Sequence, residues 1–392
     1  MELSRRSVLA GLAALAVAGC SPTGDQQPGS QALGGPQGTT ATWPTPSPTP
    51  TEWVDETPRW PLTGAVLDDG DSAKAAHPAV AVKIAVEKRS FPQFGPEDAD
   101  LVFWQAQGNS YDITRLCAIY HSKWPADGAG PIRSARPVDV DLVSPLKGVL
   151  ASASATDWVM RYIRHHKKAI EYIVKYGDRS ARWTLRNPGG WWKGGNQTDK
   201  SVIAFPKVMS EMAEIGQGKV PATYLQYAAS DDEVSTVNGQ AVKQFEISYP
   251  TKTIGTEYHR WKWNAKKQLW QPSIRFYEGS DFYDYKVRSG EQIGVPNVLV
   301  VNCKWKMGVV DGYGTAHKEP LYSMEDGSDK FTYFHDGKAV TGTWKKGSAG
   351  QRFVFTLDDG SFLKMAPAKP GSSCPNTAPR SRRPDARPEA QP

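Results

Sequence analysis

A group of arginines and aspartates near residue 133 is the part of this sequence best suited to bind an anion. Its members are Arg115, Arg133, Arg136, Asp139 and Asp141. A guanidinium group can bind a carboxylate or a phosphate through two parallel hydrogen bonds, and the two aspartates could orient the arginines. The same charges could instead pair with one another and hold together the turn that opens at Gly130-Pro131. The sequence leaves both interpretations open.

A catalytic serine is not indicated, although one pattern resembles such a site. Ser144 and Lys147 have the S-x-x-K spacing of acyl-transferring penicillin-binding proteins, but Ser361 and Lys364 repeat it. The companion motifs S-D-N and K-T-G are missing from the sequence. Pro145 instead predicts that Ser144 caps the start of a helix. The sequence therefore predicts no catalytic residue.

Metal and cofactor sites are not predicted either. The seven histidines have no ligand spacing, and no C-x-x-C motif occurs. Cys117 and Cys303 lie in apolar, strand-like runs, which favours free and buried thiols at both positions. Cys374 lies in a polar tail, and the sequence leaves open whether two of these three cysteines form a disulfide.

A basic and aromatic stretch between Arg161 and Lys193 could bind a polymer. It carries nine basic residues against two acidic ones, interleaved with tyrosines and tryptophans. The basic residues up to Lys168 are interpreted as the exposed face of a helix. Trp191 and Trp192 have no periodicity that indicates burial, so we include them among the ligand-binding residues.

The N-terminus has the form of a bacterial export signal. Arg5 and Arg6 precede a short apolar stretch, which small residues and Cys20 follow. This pattern predicts twin-arginine export and acylation of the Cys20 thiolate. Membrane lipid is then a partner of the chain, which is anchored to the outer face of the cytoplasmic membrane. Nucleic acid is disfavoured as a partner at that location.

Composition divides the chain into five segments. The signal (1–20) is followed by a tether (21–58) rich in proline, glycine and threonine, and the chain ends in a basic, proline-rich tail (366–392). Neither the tether nor the tail has the apolar residues to form a core. Fourteen tryptophans, fifteen tyrosines and twelve phenylalanines supply ample core for the rest. We divide it into domains at 59–205 and 206–365.

Local patterns predict the fold class of each domain. Apolar runs predict strands at 79–85, 101–106 and 115–120, and helical spacing predicts a helix from Asp157 to His166. The first domain is therefore predicted to be mixed α+β. In the second domain, Asn238-Gly239, Asp336-Gly337 and Asp359-Gly360 predict hairpins of an antiparallel, β-rich fold.

These segments resemble the YerB-like bacterial lipoproteins, which consist of the N- and C-terminal parts of domain of unknown function 3048. The N-terminal resemblance lies in Pro61-Leu-Thr-Gly64, Ile113-Thr-Arg115 and, most specifically, Gly130-Pro-Ile-Arg-Ser-Ala-Arg136. The C-terminal resemblance lies in Asn297-Val-Leu-Val-Val301 and Gly342-Thr-Trp-Lys-Lys346. The resemblance implies an exported lipoprotein but no established activity.

We therefore expect a non-catalytic protein of the cell envelope that binds an anionic or glycan component or a partner protein. A cell-wall polymer or an envelope protein is the expected partner. The alternatives are an envelope hydrolase or acyltransferase whose residues the sequence does not bring together, and a docking subunit without a ligand.

Overall fold

The computed structural model describes residues 57–67, 72–107, 114–175, 180, 182–185, 202–250 and 255–368. No helix in these ranges is both long enough and apolar enough to cross a membrane. The predicted export signal, with Arg5, Arg6 and Cys20, lies outside the described residues. So do most of the tether and most of the tail.

A five-stranded mixed sheet forms the centre of the N-terminal part. Its strands are β1 (Val80–Ala85), β2 (Leu101–Ala106), β3 (Thr114–Tyr120), β4 (Gly148–Ser152) and β5 (Ile170–Val174). They lie in the order β2-β3-β1-β4-β5, with β1 antiparallel to β3 and parallel to β4. Every residue of β1 and β3 is buried, as expected for a sheet covered on both faces. The three strands predicted from apolar runs are confirmed.

Three short helices accompany this sheet. They are α1 (Asp139–Val143), α2 (Asp157–His165) and α3 (Pro206–Met212). Helix α2 buries Trp158, Val159 and Ile163 and leaves Arg161 and Arg164 exposed. Its amphipathic spacing is the physical reason that the sequence predicts it correctly.

The predicted fold class needs one correction. The N-terminal part is also largely strands, since α1 has 5 residues and α2 has 9. Two further strands, β6 (Trp183–Leu185) and β7 (Val202–Ala204), add an antiparallel pair. Alternation of apolar runs with one helical segment did not distinguish a mixed domain from a sheet with few helices. The domain boundary at 205 stays a prediction.

The C-terminal part is β-rich, as predicted. One sheet contains β9 (Gln244–Pro250), β10 (Thr256–Asn264), β11 (Leu269–Arg275) and β12 (Tyr283–Asp284). A second contains β8 (Gln240–Ala241), β13 (Asn297–Val301), β16 (Gly327–His335), β17 (Lys338–Lys346) and β18 (Val354–Leu357). A small hairpin consists of β14 (Trp305–Gly308) and β15 (Glu319–Tyr322).

One predicted hairpin is present and another is not. Asp336 and Gly337 join β16 to β17, and both have a positive φ, as a type I′ turn requires. The hairpin predicted at Asn238-Gly239 is wrong. Residues 231–233 form a 3-10 helix. Strand β8 pairs instead with the first two residues of β17. Tertiary pairing overrides the local turn signal there.

The hydrophobic core joins the two parts of the chain. One cluster contains Ile119 and Leu150 of the N-terminal sheet together with Tyr224, Tyr333 and Trp344 of the C-terminal part. The ends of the described chain also meet, because the Ala368 amide donates a hydrogen bond to the Thr63 carbonyl oxygen at 2.8 Å.

Candidate functional site

The three predicted arginines are buried and engaged by other groups of the protein. Their exposed fractions are 2% for Arg115, 7% for Arg133 and 6% for Arg136. The Arg133 Nε atom donates to Glu87 Oε1 at 2.9 Å. The Arg115 guanidinium donates to the Ser134 carbonyl oxygen at 2.7 Å.

Arg136 forms an ion pair with the C-terminal part. Its Nε atom lies 3.0 Å from Glu319 Oε2, and its guanidinium also donates to the Ala135 carbonyl oxygen. Burial raises the pKa of Glu319, and the positive charges of Arg136 and Arg115 oppose that rise. The arginines are thus held in ion pairs and backbone hydrogen bonds, and a ligand role for them stays a prediction.

Asp139 pairs with a lysine instead of orienting an arginine side chain. The Lys83 ammonium donates to Asp139 Oδ1 at 2.7 Å, and both side chains are fully buried. The Gln105 amide donates to the same oxygen at 3.1 Å, and the Arg136 backbone amide donates to Oδ2. The sequence reasoning missed Lys83. Its position inside the apolar strand β1 is a usable signal, since a buried lysine requires a partner.

Asp141 is buried, with Lys346 and Glu325 as its charged neighbours. Its Oδ1 atom has no hydrogen-bond partner among the described residues. Burial raises the pKa of its carboxyl group to about 7, although the Lys346 ammonium opposes the rise. Trp191 and Trp192 lie outside the described residues.

The serine–lysine patterns form no catalytic pair in the described structure. Ser144 begins a 3-10 helix and is buried, but its hydroxyl caps nothing, so the predicted N-cap is wrong. Lys147 is exposed. The Ser361 hydroxyl donates to Asp359, whereas the Lys364 ammonium donates to Glu233.

The described cysteines are free, and the described residues include no group of three or more that could hold a metal ion. Cys117 is buried as predicted, whereas Cys303 is only half-buried. Burial raises the pKa of the Cys117 thiol to about 12 and that of Cys303 to about 11. Burial thus disfavours the thiolate, the reactive form, at both positions.

A cleft of about 1260 Å³ lies between the two parts of the chain. Strands β2 and β13 both line it, and each is an edge strand of its sheet. Edge strands usually carry charges that prevent pairing with other chains. Glu171, Glu246 and Asp284 are such charges in the edge strands β5, β9 and β12, whereas β2, β13 and β18 have none.

The mouth of the cleft exposes apolar side chains. Val102 of β2 has 36% of its surface exposed, and Trp305 of β14 has 37%. The Trp305 ring stacks on Tyr322, whose hydroxyl donates to the Ala106 carbonyl oxygen at the end of β2. This hydrogen bond attaches the hairpin of β14 and β15 to the edge strand β2.

An aromatic pocket, formed by Trp104, His259, Trp261 and Tyr285, lines part of this cleft. The Trp104 ring centroid lies 4.0 Å from that of His259, 6.3 Å from Trp261 and 5.6 Å from Tyr285. Three buried polar atoms of the pocket have no hydrogen-bond partner among the described residues. They are His259 Nδ1, Trp261 Nε1 and the Tyr285 hydroxyl.

A hydrogen-bonded chain fixes the floor of this pocket. Trp104 Nε1 donates to Thr114 Oγ1 at 2.8 Å, and Thr114 Oγ1 donates to Glu257 Oε1 at 2.5 Å. The same Glu257 oxygen lies 2.6 Å from His259 Nε2. A carboxylate oxygen accepts, so Nε2 carries a proton and donates it to Glu257.

The sequence reasoning did not find this pocket. Glu257 and His259 stand at positions i and i+2 of β10, which places them on one face of the strand. That spacing is a weak signal by itself. Trp104 and Tyr285 come from distant segments, and only the fold brings them together.

Comparison with known proteins places most of the folded part in one family. The N-terminal domain of the family described as protein of unknown function DUF3048 matches residues 62–188, and its C-terminal domain matches residues 247–371. The crystal structure of the YerB protein from Bacillus subtilis is similar in fold, with a TM-score of 0.61 and 19% sequence identity. That likeness covers 80% of this chain and 94% of the other. No curated protein matches. With both domains of the family present, the chain belongs to the DUF3048 family, as the YerB-like resemblance of its sequence predicts.

Proposed function

We propose that this protein is a lipid-anchored, non-catalytic binding protein on the outer face of a bacterial cytoplasmic membrane. Its ligand is an uncharged segment of a cell-envelope polymer, bound in the cleft between β2 and β13. The sequence pattern of Arg5, Arg6 and Cys20 supports the location. The observation that carries the binding role is the cleft itself, which is large, lined by aromatic side chains and open at two uncharged strands.

The charges around the cleft favour an uncharged ligand over an anionic one. Arg133 and Arg136 are engaged by Glu87 and Glu319, so neither presents a free guanidinium group. The cleft is lined by more carboxyl groups than ammonium groups: Glu97, Asp98, Asp100, Asp231 and Asp336 against Lys123, Lys267 and Lys338. This lining has no excess of positive charge that would attract a strongly anionic polymer.

The open strands favour a second candidate, an extended polypeptide of an envelope partner protein. A peptide strand could add to the free edge of β2, where backbone groups are available for pairing. The test below separates the two candidates, because the glycan and the peptide components of the cell wall can be presented separately.

The proposal is tested by sedimentation with purified sacculi from which the anionic polymers have been removed. The protein is expected to sediment with them, and added salt is expected to have little effect. Val102→Glu is expected to reduce the bound fraction about tenfold or more, because it buries a carboxylate against an uncharged ligand. Val354→Glu is the matched control. Val354 is an exposed valine of the edge strand β18 and does not line the cleft.

Two results would contradict the proposal. One is a wild-type protein that stays in solution with stripped sacculi. The other is equal loss of sedimentation in both glutamate variants, since Val354 lies outside the cleft. Sedimentation that requires the peptide stems of the sacculus would instead favour the polypeptide candidate.

A further inference from the structure

We infer that the aromatic pocket binds a single sugar ring, and that the ring's hydroxyl groups bond to His259 Nδ1, Trp261 Nε1 and the Tyr285 hydroxyl. This inference rests on the proposed function and names the ligand class and its contacts. It concerns residues on three separate segments, β2, β10 and the segment after β12, that converge on one side of the cleft.

The unpartnered polar atoms are the first argument. His259 is fully buried, Trp261 is 8% exposed and Tyr285 is 2% exposed, yet each has a polar atom without a partner among the described residues. Buried polar groups in folded proteins are nearly always hydrogen-bonded. All three residues line the cleft.

The kinds of polar atom are the second argument. A histidine Nδ1 accepts in the neutral ring and donates in the charged ring, Trp261 Nε1 only donates, and the Tyr285 hydroxyl does both. A hydroxyl group donates and accepts, so neighbouring hydroxyl groups of one ring can satisfy all three atoms. An aliphatic chain would satisfy none of them and would leave them desolvated.

The surrounding charges and rings are the third argument. The carboxyl groups of Glu97 and Glu257 lie near the pocket, and no cationic side chain belongs to it, which disfavours phosphate or carboxylate ligands. Trp104 is only partly buried, so part of its apolar ring is exposed in the cleft. A quaternary ammonium group could also use such rings, but it offers no hydrogen bond to any of the three unpartnered atoms.

Glu257 is the positioning residue in this arrangement. Because its Oε1 atom accepts from Nε2, it fixes the orientation of the His259 ring and therefore the position of Nδ1. Thr114 fixes that carboxyl group from the other side. The pocket should therefore discriminate against a sugar that lacks a hydroxyl group opposite Nδ1.

The test uses the tetramer of β-1,4-linked N-acetylglucosamine, which shares the glycan backbone of the sacculus and carries no peptide. Its affinity is measured by calorimetry with the wild type, with Tyr285→Phe and with Tyr277→Phe. Tyr285→Phe is expected to weaken binding about 2- to 12-fold, the effect of one lost hydrogen bond. Tyr277→Phe, at an exposed tyrosine outside the cleft, is expected to change nothing.

A second measurement follows the imidazole nitrogens of His259 by ¹⁵N NMR. The free protein is expected to have its proton on Nε2, and the Nδ1 resonance is expected to shift when the tetramer binds. In Glu257→Gln the proton is expected to redistribute between the two nitrogens. This readout does not depend on overall stability.

Three outcomes would overturn the inference. They are equal affinity of the wild type and Tyr285→Phe, an Nδ1 resonance that does not move, and a pocket that binds choline or the free stem peptide in place of the tetramer. If stripped sacculi still sediment the protein in any of these cases, the proposed function stands and only the sugar pocket fails. If wild-type protein does not sediment, the proposed function fails as well.

Discussion

At the scale of single residues, the buried charges of this protein are held by partners from distant parts of the chain. Lys83 pairs with Asp139, Arg133 with Glu87, and Arg136 with Glu319. Breaking such a pair leaves an uncompensated buried charge, which is strongly destabilising. The charged residues that the sequence suggests as a binding site thus have a structural role, because they form these buried ion pairs.

Asp141 lacks a compensating partner of this kind, and its titration should be visible in stability. Its pKa in the folded protein is about 7, above its ordinary value of 3.8. The folded state therefore binds more protons than the unfolded state in that interval. The free energy of unfolding should fall as pH rises from about 4 to about 7 and then level off.

Asp141→Asn is expected to reduce this dependence, to which the raised pKa values of Glu97, about 7, and Asp100, about 6, also contribute. At pH 8.5 the variant should be more stable than the wild type by about 1 to 3 kcal/mol, because it has no carboxylate to ionise in the core. At pH 5 the two should be nearly equal. Urea unfolding at both pH values measures this difference, and a variant that is less stable at pH 8.5 would show that the Lys346 charge compensates the carboxylate.

The sequence predicted the positions of these charged residues but not their partners. Arg133 and Arg136 stand out because they flank a turn, whereas Glu87 and Glu319 have no local feature that marks them. Lys83 was detectable, since it interrupts an apolar strand. The aromatic pocket was not, because its residues are separated by up to 181 positions, from Trp104 to Tyr285.

At the scale of elements, strand β17 depends on a glycine where three strands approach closely. A Cβ atom at Gly342 would overlap the Thr356 carbonyl oxygen of β18 and would lie 2.7 Å from the Phe331 ring of β16. Neither neighbour can retreat without moving its own strand. This explains the requirement for the smallest residue inside a sheet, where glycine is otherwise unfavourable.

Gly342→Ala is therefore expected to lower the free energy of unfolding by about 1 to 3 kcal/mol. Gly350→Ala is the control, since a Cβ atom there meets nothing within 4 Å. Urea unfolding followed by tryptophan fluorescence measures both. Equal stability of the two variants would mean that β17 can shift away from β18 at little cost.

Strand positions were predictable where burial on both faces gives a continuous apolar run, as in β1 and β3. The residues of β2 were also predicted, but its place at the edge of the sheet was not. An edge strand differs from a central strand only in lacking a neighbouring strand on one side, and β2 has the apolar composition of a central strand. Its apolar composition at an edge position indicates that the cleft is a binding site.

At the scale of the whole molecule, the export pattern makes a direct prediction about location. Acylation requires the thiolate of Cys20, so Cys20→Ala should lose incorporation of a labelled fatty acid and release the protein from membranes. Replacing Arg5 and Arg6 with lysine should block export. Fractionation of cells with lipid labelling measures both effects. Normal export of the double lysine variant, or persistent lipid on Cys20→Ala, would contradict the assigned signal.

The family and the fold agree across the molecule, although 19% identity to the YerB structure shows only the fold. The β-rich C-terminal part was predictable from its turns and alternating runs. The joining of both parts through one core was not, because composition alone does not reveal which apolar faces meet.

Contacts between the two ends of the described chain also determine when folding can be completed. Tyr227 pairs with Met365, and Thr63 accepts a hydrogen bond from Ala368. The N-terminal residues therefore cannot form these contacts until residues 365–368 have been synthesised. At about 5 to 20 residues per second, the roughly 300 residues between them take about 15 to 60 s to translate. For that time the N-terminal sheet lacks its permanent cover on one side. A ribosome must release the final strands before this protein can be complete, and any passage across a membrane in the folded state can begin only then.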